Sequence, residues 1–347
     1  MEQIRPFGVM PDGAAVSCIL LADGACTCEI ITYGAALRAL SVPDREGRPT
    51  DVVLGFDRLE DYIVHDAHFG GTIGRFANRI AGGRFTLNGA EYALPVNDGA
   101  HHLHGGPDGF DRRVWTVERL EQNTVTLRLV SPDGEMGYPG AMEARVTYTL
   151  RDGALAIRYD AVSDRDTLCS LTNHAYFNLD GHDSGDVLRQ NLWLCASRYT
   201  PSDASLIPTG EIAPVADTPM DFTQPAALGA RIGAAFEPLR FAGGYDHNYI
   251  VDAPLCARAW SNQSGICLTV TTDRPGVQLY TGNFLGNTPA GKGGARYPKR
   301  GGFCLETQAF PDAPNHADFP SALLRAGERF ESTTVYAFGI IGEEEEA

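Results

Sequence analysis

The chain has 347 residues, 28 of them basic and 44 acidic, for a formal charge of −16. That balance argues against a nucleic-acid binder, which needs a basic stripe to displace counterions, and against docking on anionic lipid. Hydrophobic residues at 43% and charged ones at 21% fit a folded globular chain, and 39 glycines with 21 prolines suit many short strands joined by turns.

From the N-terminus, MEQIRPFGVMPDG lacks the basic start and apolar run of a secretory signal. No later stretch approaches ~18 uninterrupted apolar residues, so no membrane span is expected. RFTLNGAEYAL (84–94) reads as a hairpin whose Asn88-Gly89 pair supplies the positive φ angles of a tight turn. Val125, Leu127 and Leu129 alternate with polar residues. Val146, Tyr148 and Leu150 do the same, as do Leu155, Ile157 and Tyr159, and Arg151-Asp152-Gly153 between these last two runs predicts a second hairpin. The best helical candidate covers Ala226 to Phe236, short and interrupted by two glycines. Ile266, Leu268 and Val270 alternate again, and TTVYAFGII (333–341) closes the series.

So many hairpins without helical crossovers predict an all-β fold, a large antiparallel β-sandwich of two sheets. No linker or repeat divides the chain, so residues 1–342 are expected to form one domain, followed by an acidic tail at 343–347. The eight cysteines form no Cys-x-x-Cys pair and several sit in alternating apolar runs, which predicts buried free thiols and a cytoplasmic protein.

Three motifs fail on inspection. Gly286 to Lys292 matches the first seven positions of a phosphate-binding loop, but Gly293 replaces the Ser or Thr that would hold magnesium and Pro289 removes an amide donor. His101, His102 and His104 are dense, and His65 with His68 makes a looser pair, yet no thiolate or carboxylate is spaced to complete a metal site. In an extended segment His102 and His104 would share a face. No Gly-x-Ser-x-Gly elbow is present, so a serine hydrolase is unsupported.

Four segments concentrate polar residues among apolar or glycine neighbours: GRFANRIAGGRF (74–85), HHLHGG (101–106), LTNHAYFNLDG (171–181) and GGFCLETQAFPD (301–312). Glu306 is flanked by Phe303, Cys304 and Leu305, where lost hydration raises a carboxylate's proton affinity toward that of a useful base. His174 lies between Leu171 and Tyr176-Phe177, where an imidazole could donate a proton. Taken singly, each has a plainer alternative. His174 and Tyr176 could be core residues, Glu306 could pair with Arg79, and Asn78, Asp246 and Gln278 could serve turns or loops.

These segments resemble the galactose mutarotase (aldose 1-epimerase) family nearly end to end. The resemblance rests on TIGRFANRI (72–80), LHGG (103–106), VSPDGEMGYPG (130–140), LTNHAYFNL (171–179), SLIPTGEIAPV (205–215), GYDHNYIV (244–251), PGVQLYTGNFL (275–285) and YPKRGGFCLETQAFPDAPN (297–315). It implies a metal-free and cofactor-free isomerase acting on a free aldohexose such as galactose or glucose. It implies Glu306 as general base and His174 as general acid, with His104, Asn78, Arg79, Asp246 and Gln278 contacting the sugar and Tyr176 lining the pocket. Family members often read Asn-x-Leu-His-Gly-Gly, and His101 stands here at the position of that Asn. Two other readings compete: a glycoside hydrolase using Glu306 and Asp246 as paired carboxylates, and a sugar-binding protein without catalysis.

Overall fold

The computed structural model describes residues 3–342, so the acidic tail lies outside the described residues. Both hairpins form as their turn residues dictate. Strands Arg84–Leu87 and Ala90–Ala93 pair across Asn88 (φ +51°) and Gly89 (φ +78°). Met142–Arg151 and Ala154–Ser163 pair across Asp152 (φ +51°) and Gly153 (φ +75°), the mirror-image turn geometry that matches strand twist.

Those two long strands are central to a nine-stranded antiparallel sheet. Its order is Thr116–Leu120, Thr124–Ser131, Met142–Arg151, Ala154–Ser163, Arg329–Ile340, Ile266–Thr272, Leu255–Trp260, Asn191–Leu194 and Ala226–Ala227. Along Met142–Arg151 every second side chain is buried, as the alternation predicts. A five-stranded antiparallel sheet packs against it: Ala213–Pro214, Arg198–Tyr199, Asp246–Ile250, Gly276–Tyr280 and Cys304–Gln308. Between the two, Tyr336 Oη donates to the Leu305 carbonyl at 3.1 Å and the Thr307 and Thr334 hydroxyls lie 2.5 Å apart. Val277, Leu279 and Leu305 share one apolar core with Val146, Tyr148, Ile157 and Tyr336. A further five-stranded meander over residues 4–51 packs on the nine-stranded sheet.

The helix expected over Ala226 to Phe236 does not form there. Ala226–Ala227 adds to the edge of the large sheet, and the N–H groups of Leu228 and Gly229 bond to the carbonyls of Gln190 and Leu188, which removes them from any helical ladder. The helix comes one step later, at Glu237–Ala242, where Pro238 in its first turn fixes the start. A second short helix, Leu59–Val64, was not foreseen.

Two segments singled out in the sequence prove to be structural. Arg75, 2% exposed, donates five hydrogen bonds to the Ser131 hydroxyl and to the carbonyls of Ser131, Pro132, Pro139 and Gly140, so the 130–140 segment is folded around one guanidinium. Lys292 turns inward, and its Nζ bonds to Asp51 Oδ2 at 2.5 Å, the Val53 carbonyl at 2.8 Å and the Arg38 carbonyl at 3.0 Å. All three ammonium donors are used, so this lysine is not available to a phosphate. Seven of the eight free cysteines are buried.

Candidate active site

The outer face of the five-stranded sheet carries a polar row, and the period of a strand explains it. On Cys304–Gln308, Leu305 and Thr307 face the nine-stranded sheet, so Glu306 must face away. On Gly276–Tyr280, Val277 and Leu279 enter the core and leave Gln278 and Tyr280 outward; on Asp246–Ile250, Tyr249 enters the core and Asp246 faces out. The register sets Gln278 opposite Glu306, and Asp246 opposite Tyr280. Gln278 Nε2 donates to Asp246 Oδ1 at 2.6 Å.

Loops bring imidazoles over this row. His174 follows the two-residue strand Thr172–Asn173. Its N–H bonds to Gly71 O and its carbonyl accepts from Gly70 N–H, both at 2.9 Å. Gly70 (φ +64°) is required there, since a Cβ would fall 2.0 Å from the Leu37 carbonyl oxygen. His104 is turned out of the preceding strand by a φ of +53°, so it faces the cavity while His102 is held by the Pro95 carbonyl and Tyr138 Oη, each at 2.7 Å. The shared face expected for these two histidines is therefore not seen. Asn78 N–H donates to His104 Nδ1 at 3.2 Å, which leaves Nε2 of that ring as the donor toward the cavity. Gly105 follows because any Cβ would lie 1.8 Å from the Gly74 carbonyl oxygen.

The result is a cavity of about 280 Å³ lined by Asn78, Arg79, His104, His174, Asp246 and Glu306. Of the eight residues singled out in sequence, Tyr176 and Gln278 lie behind the wall. Tyr176 stacks under His174 with ring centroids 5.0 Å apart, and Gln278 steadies Asp246. Arg79 does not pair with Glu306; its Nε donates to Asp98 Oδ2 at 2.7 Å. The exposed Phe284 stands at the rim. His101 accepts a hydrogen bond from Gly82 N–H at 3.1 Å, so the imidazole supplies a loop acceptor at the position that departs from the family pattern.

Glu306 is 2% exposed and its Oε2 has no hydrogen-bond partner among the described residues. His174 Nε2 lies 3.7 Å from Glu306 Oε1, and its Nδ1 lies 3.6 Å from the Cys304 thiol. Burial, reinforced by the nearby Asp246 carboxylate and opposed by Arg79, holds the Glu306 carboxyl well above the usual carboxylate range. Burial pushes the His174 imidazole down to about 3 and His104 well below its ordinary range, with His68 adding to both shifts. Burial thus disfavours the charged form of each partner, which argues against a resting ion pair between them. The pair carries one transferable proton.

The sequence model of the family described as aldose 1-epimerase matches residues 17–337. The chain belongs to the aldose 1-epimerase family. It is 46% identical to the galactose mutarotase of Rattus norvegicus over 339 residues, covering 96% of this chain and 97% of that one. It is 36% identical to the aldose 1-epimerase of Escherichia coli K12 over 337 residues, with 94% and 96% covered. Among solved structures, an aldose epimerase homologue from C. elegans superimposes with a TM-score of 0.88 at 33% identity, covering 94% of this chain and all of that one. The enzyme is thus an isomerase that interconverts the anomers of aldoses.

Within this aldose 1-epimerase, His104, His174 and Glu306 also bring three potential metal-ligating atoms within 4.8 Å of one another. Spacing in sequence did not disclose this cluster, because its carboxylate arrives 132 positions after His174. His68, Asp98 and Tyr280 line the cavity too and were not singled out for it. The only sequence signal for His68 was its closeness to His65.

Proposed function

We propose that the enzyme converts free aldohexoses such as galactose and glucose between α and β anomers, with Glu306 as general base and His174 as general acid. The 3.7 Å approach of His174 Nε2 to Glu306 Oε1 inside a buried cavity carries this reading. Ring opening removes the proton of the C1 hydroxyl and adds one to the ring oxygen. Those two oxygens share one carbon, so their proton partners must be close neighbours. A glycosidase instead separates its carboxyls by roughly 5–10 Å across the scissile bond. Asp246, the second carboxylate that chemistry would need, accepts from Gln278 Nε2 through Oδ1, an arrangement that suits it to holding sugar hydroxyls.

With the shared proton on His174, Glu306 takes the O1 proton while His174 protonates the ring oxygen, and the C1–ring oxygen bond breaks to give the open-chain aldehyde. The proton now sits on Glu306 and His174 is neutral, the arrangement that burial favours. Rotation about C1–C2 presents the other carbonyl face. On closure Glu306 returns a proton to O1 and His174 removes one from the hydroxyl that closes the ring. The pair ends as it began, so no metal, nucleotide or solvent proton is needed.

The remaining residues fit supporting roles. Arg79 and the Nε2–H of His104 stabilise charge on oxygen, Asn78 and Asp246 bond sugar hydroxyls, Gln278 orients Asp246, and Tyr176 supports the His174 ring. We further propose that residues 1–342 fold as one domain, supported by a core that draws on residues from Ile19 to Tyr336. A cytoplasmic location is supported by the buried free thiols. Among the described residues no helix is long and apolar enough to cross a membrane.

Polarimetry on freshly dissolved α-galactose, α-glucose, xylose and arabinose tests the assignment. Both hexoses should reach equilibrium much faster with enzyme than without. Acceleration of the pentoses alone would overturn the aldohexose reading.

A further inference from the structure

One titratable pair at the cavity takes no part in the chemistry above. His68 lines the cavity from the loop between helix Leu59–Val64 and strand Thr72–Ile73. Its φ of +56° is a left-handed conformation that few residues other than glycine hold, and Asn78 (φ +68°) and His104 (φ +53°) on the same wall share it. His68 Nδ1 lies 2.7 Å from Asp111 Oδ2.

Asp111 is 8% exposed, in the turn Phe110–Arg112, and its Oδ1 has no hydrogen-bond partner among the described residues. A carboxylate buried with so few partners does not explain itself through stability. The chain is packed tightly around it: a Cβ on Gly34 would lie 2.4 Å from the Asp111 carbonyl oxygen, and one on Gly71 2.8 Å from the Asp111 Cβ. The backbone and Cβ of Asp111 are thereby held in place, and its Oδ2 holds the imidazole in turn. A carboxylate only accepts, so Nδ1 of His68 carries its hydrogen and Nε2 remains for another partner. No second hydrogen bond of the His68 imidazole is found among the described residues, and the ring lies 4.9 Å from that of His104 and 5.6 Å from that of His174.

We propose that His68 is a further sugar-binding residue, its Nε2 bonded to one ring hydroxyl, with Asp111 as the positioning residue that fixes its tautomer and orientation. The proposal rests on the sugar occupying this cavity. Sugar hydroxyls both donate and accept, so the contact is available whether or not the imidazole is charged.

The test measures KM and kcat for His68→Ala, His68→Gln and Asp111→Asn on α-galactose and on its monodeoxy analogues. For galactose the loss should fall on KM, which rises about 3- to 10-fold, the range of one uncharged hydrogen bond, while kcat moves less. For the one analogue that lacks the contacted hydroxyl, parent and His68→Ala should give the same KM. Asp111→Asn should raise KM in the parent background and change it less than about 2-fold when His68 is already Ala. An unchanged KM for every sugar, or an equal loss with every analogue, overturns the proposal. Should Asp111→Asn not fold, the two His68 variants decide it alone. A Glu306→Gln control separates the outcomes: if it is inactive while His68 variants behave as parent, only the His68 proposal fails.

Discussion

Burial of the acid/base pair makes a quantitative demand on the pH profile. The active form is the pair holding one proton, in either arrangement. It is lost in acid when His174 takes a second proton, and in alkali when Glu306 gives up the only one. Burial pushes the first event down to about 3 and raises the second well above the ordinary carboxylate value. At pH 5 an imidazole titrating at about 3 is only about 1% protonated, whereas one at the ordinary value near 6.5 would be about 97% protonated. Lowering the pH from 7 to 5 should therefore leave kcat/KM for α-galactose within about 2-fold, against a loss of more than 10-fold for an unburied histidine. The assay is polarimetry with the spontaneous rate subtracted at each pH, and circular dichroism to confirm that the protein remains native. An acid limb centred near 6.5 would refute the reasoning.

Stability should behave differently from activity. His102 and His247 are pushed down to about 4 by burial, beside His104 and His174, so the unfolded chain binds protons below about 6.5 that the native one refuses. Stability must then fall as the pH drops from about 6.5 toward 4, by up to roughly 1.4 kcal/mol per pH unit for each histidine. The raised carboxyls of Glu306 and Asp246 oppose this in part. Urea midpoints at pH 7, 6 and 5 should fall in that order, and a midpoint that rises in acid contradicts the account. Lys292→Met should cost about 3 kcal/mol in urea unfolding, because it strands Asp51 and two carbonyls, with the partial exposure of Asp51 keeping the loss at the low end for a broken buried pair. Equal stability of that variant would show the buried ammonium to be dispensable. Dialysis against EDTA should leave turnover unchanged, since the two side chains supply both proton transfers; loss of activity restored by a divalent ion would assign His104, His174 and Glu306 to a metal instead.

The fold was legible where local chemistry decides it. Asn88-Gly89 and Asp152-Gly153 specify hairpin turns by themselves, and the alternation of Val146, Tyr148 and Leu150 marks the buried face of a strand. It was less legible where tertiary pairing competes, as at Leu228 and Gly229, whose N–H groups are taken by a neighbouring segment. Strand Cys304–Gln308 is buried on both faces, so burial alone does not distinguish Glu306 from Leu305, and only the packing of the two sheets does. Glu306 and His174 could be picked out as polar residues among apolar neighbours. Their mutual approach could not, and neither could the His68–Asp111 pair, whose members are 43 positions apart.

The central claim is that Glu306 transfers the proton, and the kcat of Glu306→Gln on α-galactose tests it most directly. The amide keeps the size of the side chain and cannot accept a proton, so kcat should fall by about 10²–10⁴-fold, or roughly 3–5 kcal/mol in the barrier. Galactose should still bind by calorimetry, and the fold should be unchanged. A variant that binds galactose and anomerises it within 10-fold of the parent rate would contradict the account.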